Sequence, residues 1–297
     1  MNRNATRTTL YALGFRQIEA VGTLDAFWNL VRKRPPDLAL VEAQPDRDVC
    51  DAIQHLRTGA AGHNPFIVVI VTAWDNTNGL VGRVINSGAD DLVLRPFSTA
   101  TLGTRIKSHI ERRKGFVITT DYVGPDRRKD GNRPSDVDLF EPPNSLKMKA
   151  RDRMSPEQVA QRLDAELKVA CDILHSEKLR RDSFQVCILW RLIQAQLPAH
   201  ALTNSDVQKL RHLAASIETR CQELQIEHAG EWCQSILAAV EGIEMGVDRN
   251  ASMHLLGHAA LSLNQLFSPE KSTQEHLTQI DATVAIILAR AEPAMAS

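Results

Sequence analysis

The sequence predicts an α/β domain built on a parallel sheet, followed by an all-α helical bundle domain. Three observations carry this expectation. Before residue 115 or so, short β-branched runs alternate with amphipathic stretches, the arrangement of strands covered by helices. One of those runs, 66–71 (FIVVIV), is apolar on both faces, as a strand buried between two helix layers must be. After residue 154 the apolar residues recur at helical spacing throughout. At 297 residues the chain also exceeds the size of about 250 at which single cores usually stop growing.

Taken in order, the first part reads as helices near 7–13, 24–32, 47–57, 79–87 and 99–113, with strands at 17–21, 38–41, 66–72 and 91–94. Pro35-Pro36 stops the second helix, and Ser98 is the N-cap of the last. From 115 to 154 the pattern dissolves into turn formers and charges, GPDRRKDG at 124–131 and EPPN at 141–144. The residues 116–154 are therefore expected to form a linker or extended tail, including the β-prone run 116–120. The helical part opens with a capping box, Ser155-Pro156-Glu157-Gln158, followed by Val159, Leu163, Leu167, Ala170 and Leu174. A second helix carries Phe184, Cys187, Ile188 and Leu192 and ends at Pro198, and a third starts at 204–206. Further stripes lie at 232–243, 255–267 and 277–288, with Ser268-Pro269-Glu270 repeating the capping chemistry of the first start. The expected divisions are 1–115, 116–154 and 155–297, the last holding five or six helices in a bundle.

Three pieces of the first part carry a resemblance. PPDLALVE at 35–42, FIVVIVTA at 66–73 and GADDLVLRPF at 88–97 stand in the order and spacing of response-regulator receivers. Over about residues 5–115 the chain thus resembles the receiver (CheY-like) domain, which implies a doubly wound parallel sheet, here incomplete. In that family an acidic pair holds Mg²⁺, an Asp ending the third strand accepts the phosphoryl group, and a hydroxyl and a Lys then bind it. Carried over, Glu42 stands at the acceptor position, and Thr72 and Arg95 stand at the two switch positions. Glu is a methylene longer than Asp, which misplaces the nucleophile by about an ångström, on the order of 10²-fold in rate. Arg keeps the charge of Lys but is larger and fork-shaped. The first helix is not preceded by a strand ending in two acids, so the first strand and the Mg²⁺ pair are expected to be missing. Asp46 and Asp48 are read as loop acids and not as metal ligands.

Composition bounds the function. Lys and Arg number 35 against 36 Asp and Glu, a net charge of −1, so there is no electrostatic excess for nucleic acid or an anionic membrane. The longest apolar run is too short to span a bilayer and the N-terminus has no signal-peptide core, which places the protein in the cytoplasm by expectation. Five dispersed cysteines read as reduced, mostly buried thiols. His254 and His258 have the i, i+4 spacing of a zinc peptidase but lack its glutamate, since Leu255 follows the first His. His175, His200 and His212 lack the surroundings of a phosphotransfer histidine and read as surface residues. The basic clusters Arg112-Arg113-Lys114 and Arg127-Arg128-Lys129 read as a solvated face.

The expected function is that of a two-component-type signalling regulator. A pseudo-receiver would act through phosphorylation-independent protein–protein contacts, coupled to a helical effector or dimerisation domain. It would not be an enzyme, would need no cofactor unless a working receiver site took Mg²⁺, and would pair with signalling proteins and with a second copy of itself. The alternatives are a phosphoryl-accepting regulator whose start lies upstream, and a helical metal-binding domain around His254 and His258.

Overall fold

The computed structural model describes residues 2–43, 49–59, 64–75, 78–128, 139–196, 204–246 and 248–291, and the chain divides into two units, 1–174 and 175–297. The first unit begins with helices α1 (Asn2–Ala12) and α2 (Leu24–Lys33), strand β1 (Leu38–Glu42) and helix α3 (Val49–Arg57). Strand β2 (Val68–Ala73), helix α4 (Asn78–Asn86), strand β3 (Asp91–Leu94) and helix α5 (Thr99–Glu111) follow. The three strands pair in parallel in the order β1-β2-β3. Every residue of β2 is buried, because it is the middle strand with apolar side chains on both faces. On one face Val69 and Val71 join Ala39, Val41 and Leu92 against Val31 of α2, Ile53 and Leu56 of α3, and Val84 of α4. On the other, Val68, Ile70 and Val93 meet Leu10 of α1 and Leu102 and Ile106 of α5. Thr23 and Ser98 cap α2 and α5, accepting from the backbone N–H of Ala26 and Thr101.

Two sequence expectations change here. Residues 17–21 are not a strand: a strand exists only within a ladder, and among the described residues β1 pairs with β2 alone. Phe15 and Ile18 instead pack beside Leu38 and Leu40. Residues 116–154, expected as a linker or extended tail, carry strands β4 (Phe116–Ile118) and β5 (Val123–Pro125) and helix α6 (Ser145–Ala150). The two strands form an antiparallel hairpin, bridged at Phe116 by Phe140. Their apolar residues are buried, which is the physical reason the segment is not a tail: Phe66, Phe116 and Phe140 pack edge-on, with ring centroids 5.6–6.1 Å apart. Ala170 and Leu174, from the start of helix α7 (Pro156–Gln196), close the same cluster. Backbone meets backbone where the hairpin crosses the turn before β3. A Cβ on Gly88, whose φ is +85°, would lie 2.2 Å from the Val123 carbonyl, and one on Gly124 would lie 2.6 Å from Gly88 Cα.

The second unit holds the rest of α7 with α8 (Asn204–Glu223), α9 (Ala229–Met245), α10 (Arg249–Phe267) and α11 (Thr273–Ala291). The capping box at Ser155 and Gln158 forms as expected, with both reciprocal bonds present. The two helices expected before and after residue 180 are instead one 41-residue helix, since no Gly or Pro interrupts 157–196. The last helix does not start at Ser268-Pro269-Glu270. Its box is Ser272 with Glu275, four residues on, and Glu275 accepts from both the Ser272 N–H and its hydroxyl. Leu210, Ile217, Ile236, Val240, Leu256 and Leu263 fill the core with Ile188 and Ile193 of α7. At Gly257 a Cβ would stand 2.5 Å from the Trp190 ring, so the small residue is what admits the indole.

Candidate functional site

All three strands of the parallel sheet end on one side, at Glu42, Ala73 and Leu94. In open α/β sheets that carboxyl edge is where ligands are bound. Glu42 and Thr72 are register partners on β1 and β2, and the Arg95 N–H donates to the Ala73 carbonyl at 2.7 Å, so the three sequence-predicted residues sit together. Arg95 Nε stands 3.7 Å from Glu42 Oε1, an ion pair that is mostly withdrawn from solvent. The same Oε1 accepts a hydrogen bond from the Trp74 indole at 3.0 Å. Arg95 also donates from Nη2 to the Thr6 hydroxyl of α1 at 2.9 Å, and its guanidinium lies 4.7 Å over the Phe97 ring. Thr72 is buried, and among the described residues no hydrogen bond joins its hydroxyl to Glu42 or Arg95.

This carboxylate therefore faces a guanidinium and accepts a hydrogen bond from an indole N–H. The described residues at this edge do not make a Mg²⁺ site: no three of His, Cys, Asp or Glu gather anywhere among them. Asp46 and Asp48 lie outside the described residues. Trp74 was not singled out by the sequence reading, because nothing in a β-run ending in Thr-Ala-Trp marks which side chain will turn back onto Glu42.

The opposite edge of the sheet is built as a lock. Asp90, just before β3, accepts from Arg57 Nη2 at 2.7 Å, from Arg113 Nε at 2.8 Å and from the Val69 N–H at 2.8 Å. Arg57 and Arg113 also stack on the Phe116 ring, at 5.2 and 5.0 Å from its centroid. Burial works to raise the Asp90 carboxyl, but the two guanidinia outweigh it and hold the group below the usual aspartate range. Burial in turn pushes Arg57 down to about 10, with Asp90 opposing. Four residues of the basic clusters are engaged locally. Arg113 serves Asp90, Arg127 donates to the Ala89 carbonyl, Arg128 pairs with Asp126, and Lys114 donates to the Asp126 carbonyl; Lys129 lies outside the described residues.

In the helical unit, His254 and His258 lie exposed on α10, with His258 packed 5.3 Å from the Trp232 ring. His175 Nδ1 accepts from Arg220 Nη1 at 2.6 Å, which fixes the proton on Nε2 and removes the lone pair a phosphotransfer histidine would use there. His212 is exposed on α8, and His200 lies outside the described residues. A buried polar chain escaped the sequence reading. Asn264 bonds His276 Nδ1 at 2.9 Å, and His276 Nε2 donates to the Ser268 carbonyl at 3.2 Å. All five cysteines are free thiols, and burial pushes Cys187 and Cys233 up to about 12 and Cys221 to about 11, which makes them unreactive.

No known protein-family profile matches the chain. A stretch of 109 residues, 36% of the chain, is 30% identical to the two-component response regulator PhoP of Pseudomonas aeruginosa. The match covers 47% of that protein, so the chain spans about half the length of the curated relative it matches. With the three-stranded parallel sheet, this is consistent with a receiver-like domain in the first unit. No helix among the described residues is long and apolar enough to cross a membrane.

Proposed function

We propose that the first unit is a pseudo-receiver with the doubly wound CheY-like arrangement, acting in two-component-type signalling through protein–protein contacts that do not depend on phosphorylation. The observation that supports this reading is the Glu42 carboxylate, paired with Arg95 and hydrogen-bonded by Trp74 at the carboxyl edge of the sheet. A phosphorylated aspartate would bring acidic oxygens to the switch cation; Glu42 sets a carboxylate oxygen there without phosphorylation. On this reading the protein is not an enzyme, needs no cofactor and works in the cytoplasm, and its contacts are with proteins, not nucleic acid or membrane. The test is incubation with acetyl phosphate and Mg²⁺ followed by peptide mass spectrometry. No acyl phosphate is expected at Glu42, and a hydroxylamine-labile phosphate on that residue would overturn the reading.

Self-association belongs to the same reading. β1 has a ladder partner on one side only among the described residues, and an unmatched buried backbone donor or acceptor costs about 1–3 kcal/mol, which a second copy would offset. Light scattering at micromolar concentration is expected to report twice the 33.0 kDa chain mass. A mass of one chain, unchanged between high and low concentration, would remove the dimer.

A further inference from the structure

We propose that the cleft between helices α3 and α4 and the turn of the β4–β5 hairpin binds a free basic amino acid, of the arginine and lysine class. None of its lining residues belongs to the carboxyl-edge site, so it does not rest on the reading of Glu42. The cavity measures about 440 Å³, within the roughly 300–1,000 Å³ of small-molecule sites. Its walls include Asp51 and Gln54 of α3, Arg83 and Asn86 of α4, and Asp121 and Tyr122 of the hairpin turn.

What points to a ligand is a pair of opposite charges that line one cavity and do not meet. Among the described residues neither the Arg83 guanidinium nor the Asp121 carboxylate has an ion pair or a hydrogen bond, and the Asn86 amide has none either. The wall that carries Asp121 is fixed in place. Gln54 Nε2 donates to the Asp121 carbonyl at 3.3 Å, which ties the turn to α3. The Tyr122 N–H donates to the Thr119 hydroxyl at 3.1 Å, and the Tyr122 hydroxyl donates to the Pro125 carbonyl at 2.8 Å. A wall set before binding loses little freedom when the ligand arrives. The charges then define the guest. Arg83 and Asn86 stand three positions apart on one face of α4, a cation and an amide donor for a carboxylate. Asp121, on the hairpin turn, is the acceptor for an ammonium. An α-amino acid carries both groups on one carbon. Asp51 adds a second carboxylate; it has interactions of its own, but its two oxygens accept from several donors at once. Two carboxylates against one guanidinium leave the lining with excess negative charge, which a guest with a cationic side chain balances.

Heteronuclear NMR titration of the full chain tests this, with L-arginine, L-lysine, agmatine and L-norleucine as probes. Agmatine is arginine without its carboxylate, and norleucine is lysine without its terminal ammonium. L-arginine or L-lysine should shift the amide signals of α3, α4 and the hairpin turn saturably, at concentrations up to about a millimolar. Agmatine and norleucine should each bind about tenfold more weakly or worse, the value of one lost charged hydrogen bond. Arg83→Ala should weaken L-arginine by about tenfold and bring it down to the level of agmatine. Asp121→Asn should weaken it by about as much. Arg83 and Asp121 are both exposed, so neither substitution touches the core. Three results would each overturn the proposal: no saturable shift with either basic amino acid, agmatine or norleucine binding as tightly as they do, or affinity indifferent to either substitution.

Discussion

Replacing Asp90 by Ala should destabilise the first unit by about 3–5 kcal/mol, because it strands two buried guanidinia. Asp90 accepts from both Arg57 and Arg113, whose side chains are 1% and 5% exposed, and it also satisfies the Val69 N–H at the start of β2. Its loss leaves no carboxylate to offset the desolvation that already pushes Arg57 down to about 10. Native-state hydrogen exchange on peptides spanning β2 and β4 should quicken by about 10²–10⁴-fold, while peptides from α9 and α10 keep their rates. Unchanged exchange in β2 would mean that the pair is not structural. The lock also sets a pH dependence. The folded Asp90 carboxyl lies below its ordinary value, so its contribution is complete above about pH 4 and fades as the pH falls through the depressed value. Wild type should lose stability on that acid side, and Asp90→Ala should lack this component of the loss.

How much of this could be read from the sequence depends on how local the cause is. β1, β2 and β3 were legible because Leu38, Val68 and Leu92 belong to runs whose own side chains dictate burial on one or both faces. The run at 17–21 was misread because a strand needs a neighbour as well as a propensity, and no propensity reveals whether the neighbour is there. The hairpin was misread for the opposite reason. Phe116, Ile118 and Val123 are sheet formers, but what docks them is an ion-pair node between residues 57, 90 and 113, and an approach of Gly88 to Gly124. Arg113 read as one of a solvated basic cluster, since charge spacing cannot show that one member is to be buried. At the candidate site the resemblance singled out Glu42, Thr72 and Arg95, which lie at or beside the ends of β1, β2 and β3. The Trp74 and Thr6 contacts depend on rotamers, which the sequence does not display. The same holds for Asn264 and His276, two polar residues on apolar-striped helices that meet inside the core.

Cutting the chain after residue 115, where the sequence sets the end of the receiver-like part, should leave a fragment without a cooperative fold, whereas 1–174 should fold. The shorter fragment keeps Asp90, Arg57 and Arg113 but removes the Phe116 ring on which both guanidinia stack. It strips Phe66 of its two aromatic neighbours, Phe116 and Phe140, and exposes the start of β2. It also removes Leu146, buried among Leu10, Val68 and Leu102, and with it the ion pair from Lys149 to Asp37. Each fully buried aromatic or aliphatic side chain contributes on the order of 1.5–3 kcal/mol, and a domain stands only about 5–15 kcal/mol above its unfolded state. Losing Phe116, Ile118, Val123 and Leu146 together is enough to exhaust that margin. The cut at 155 fails for a related reason, since Val159, Ala170 and Leu174 are buried residues of the first unit. Far-UV circular dichroism with thermal melting distinguishes the fragments. A sharp, cooperative melt of 1–115 near that of 1–174 would show that the hairpin, α6 and the start of α7 are dispensable ornaments, and that the lock at Asp90 holds without its aromatic lid.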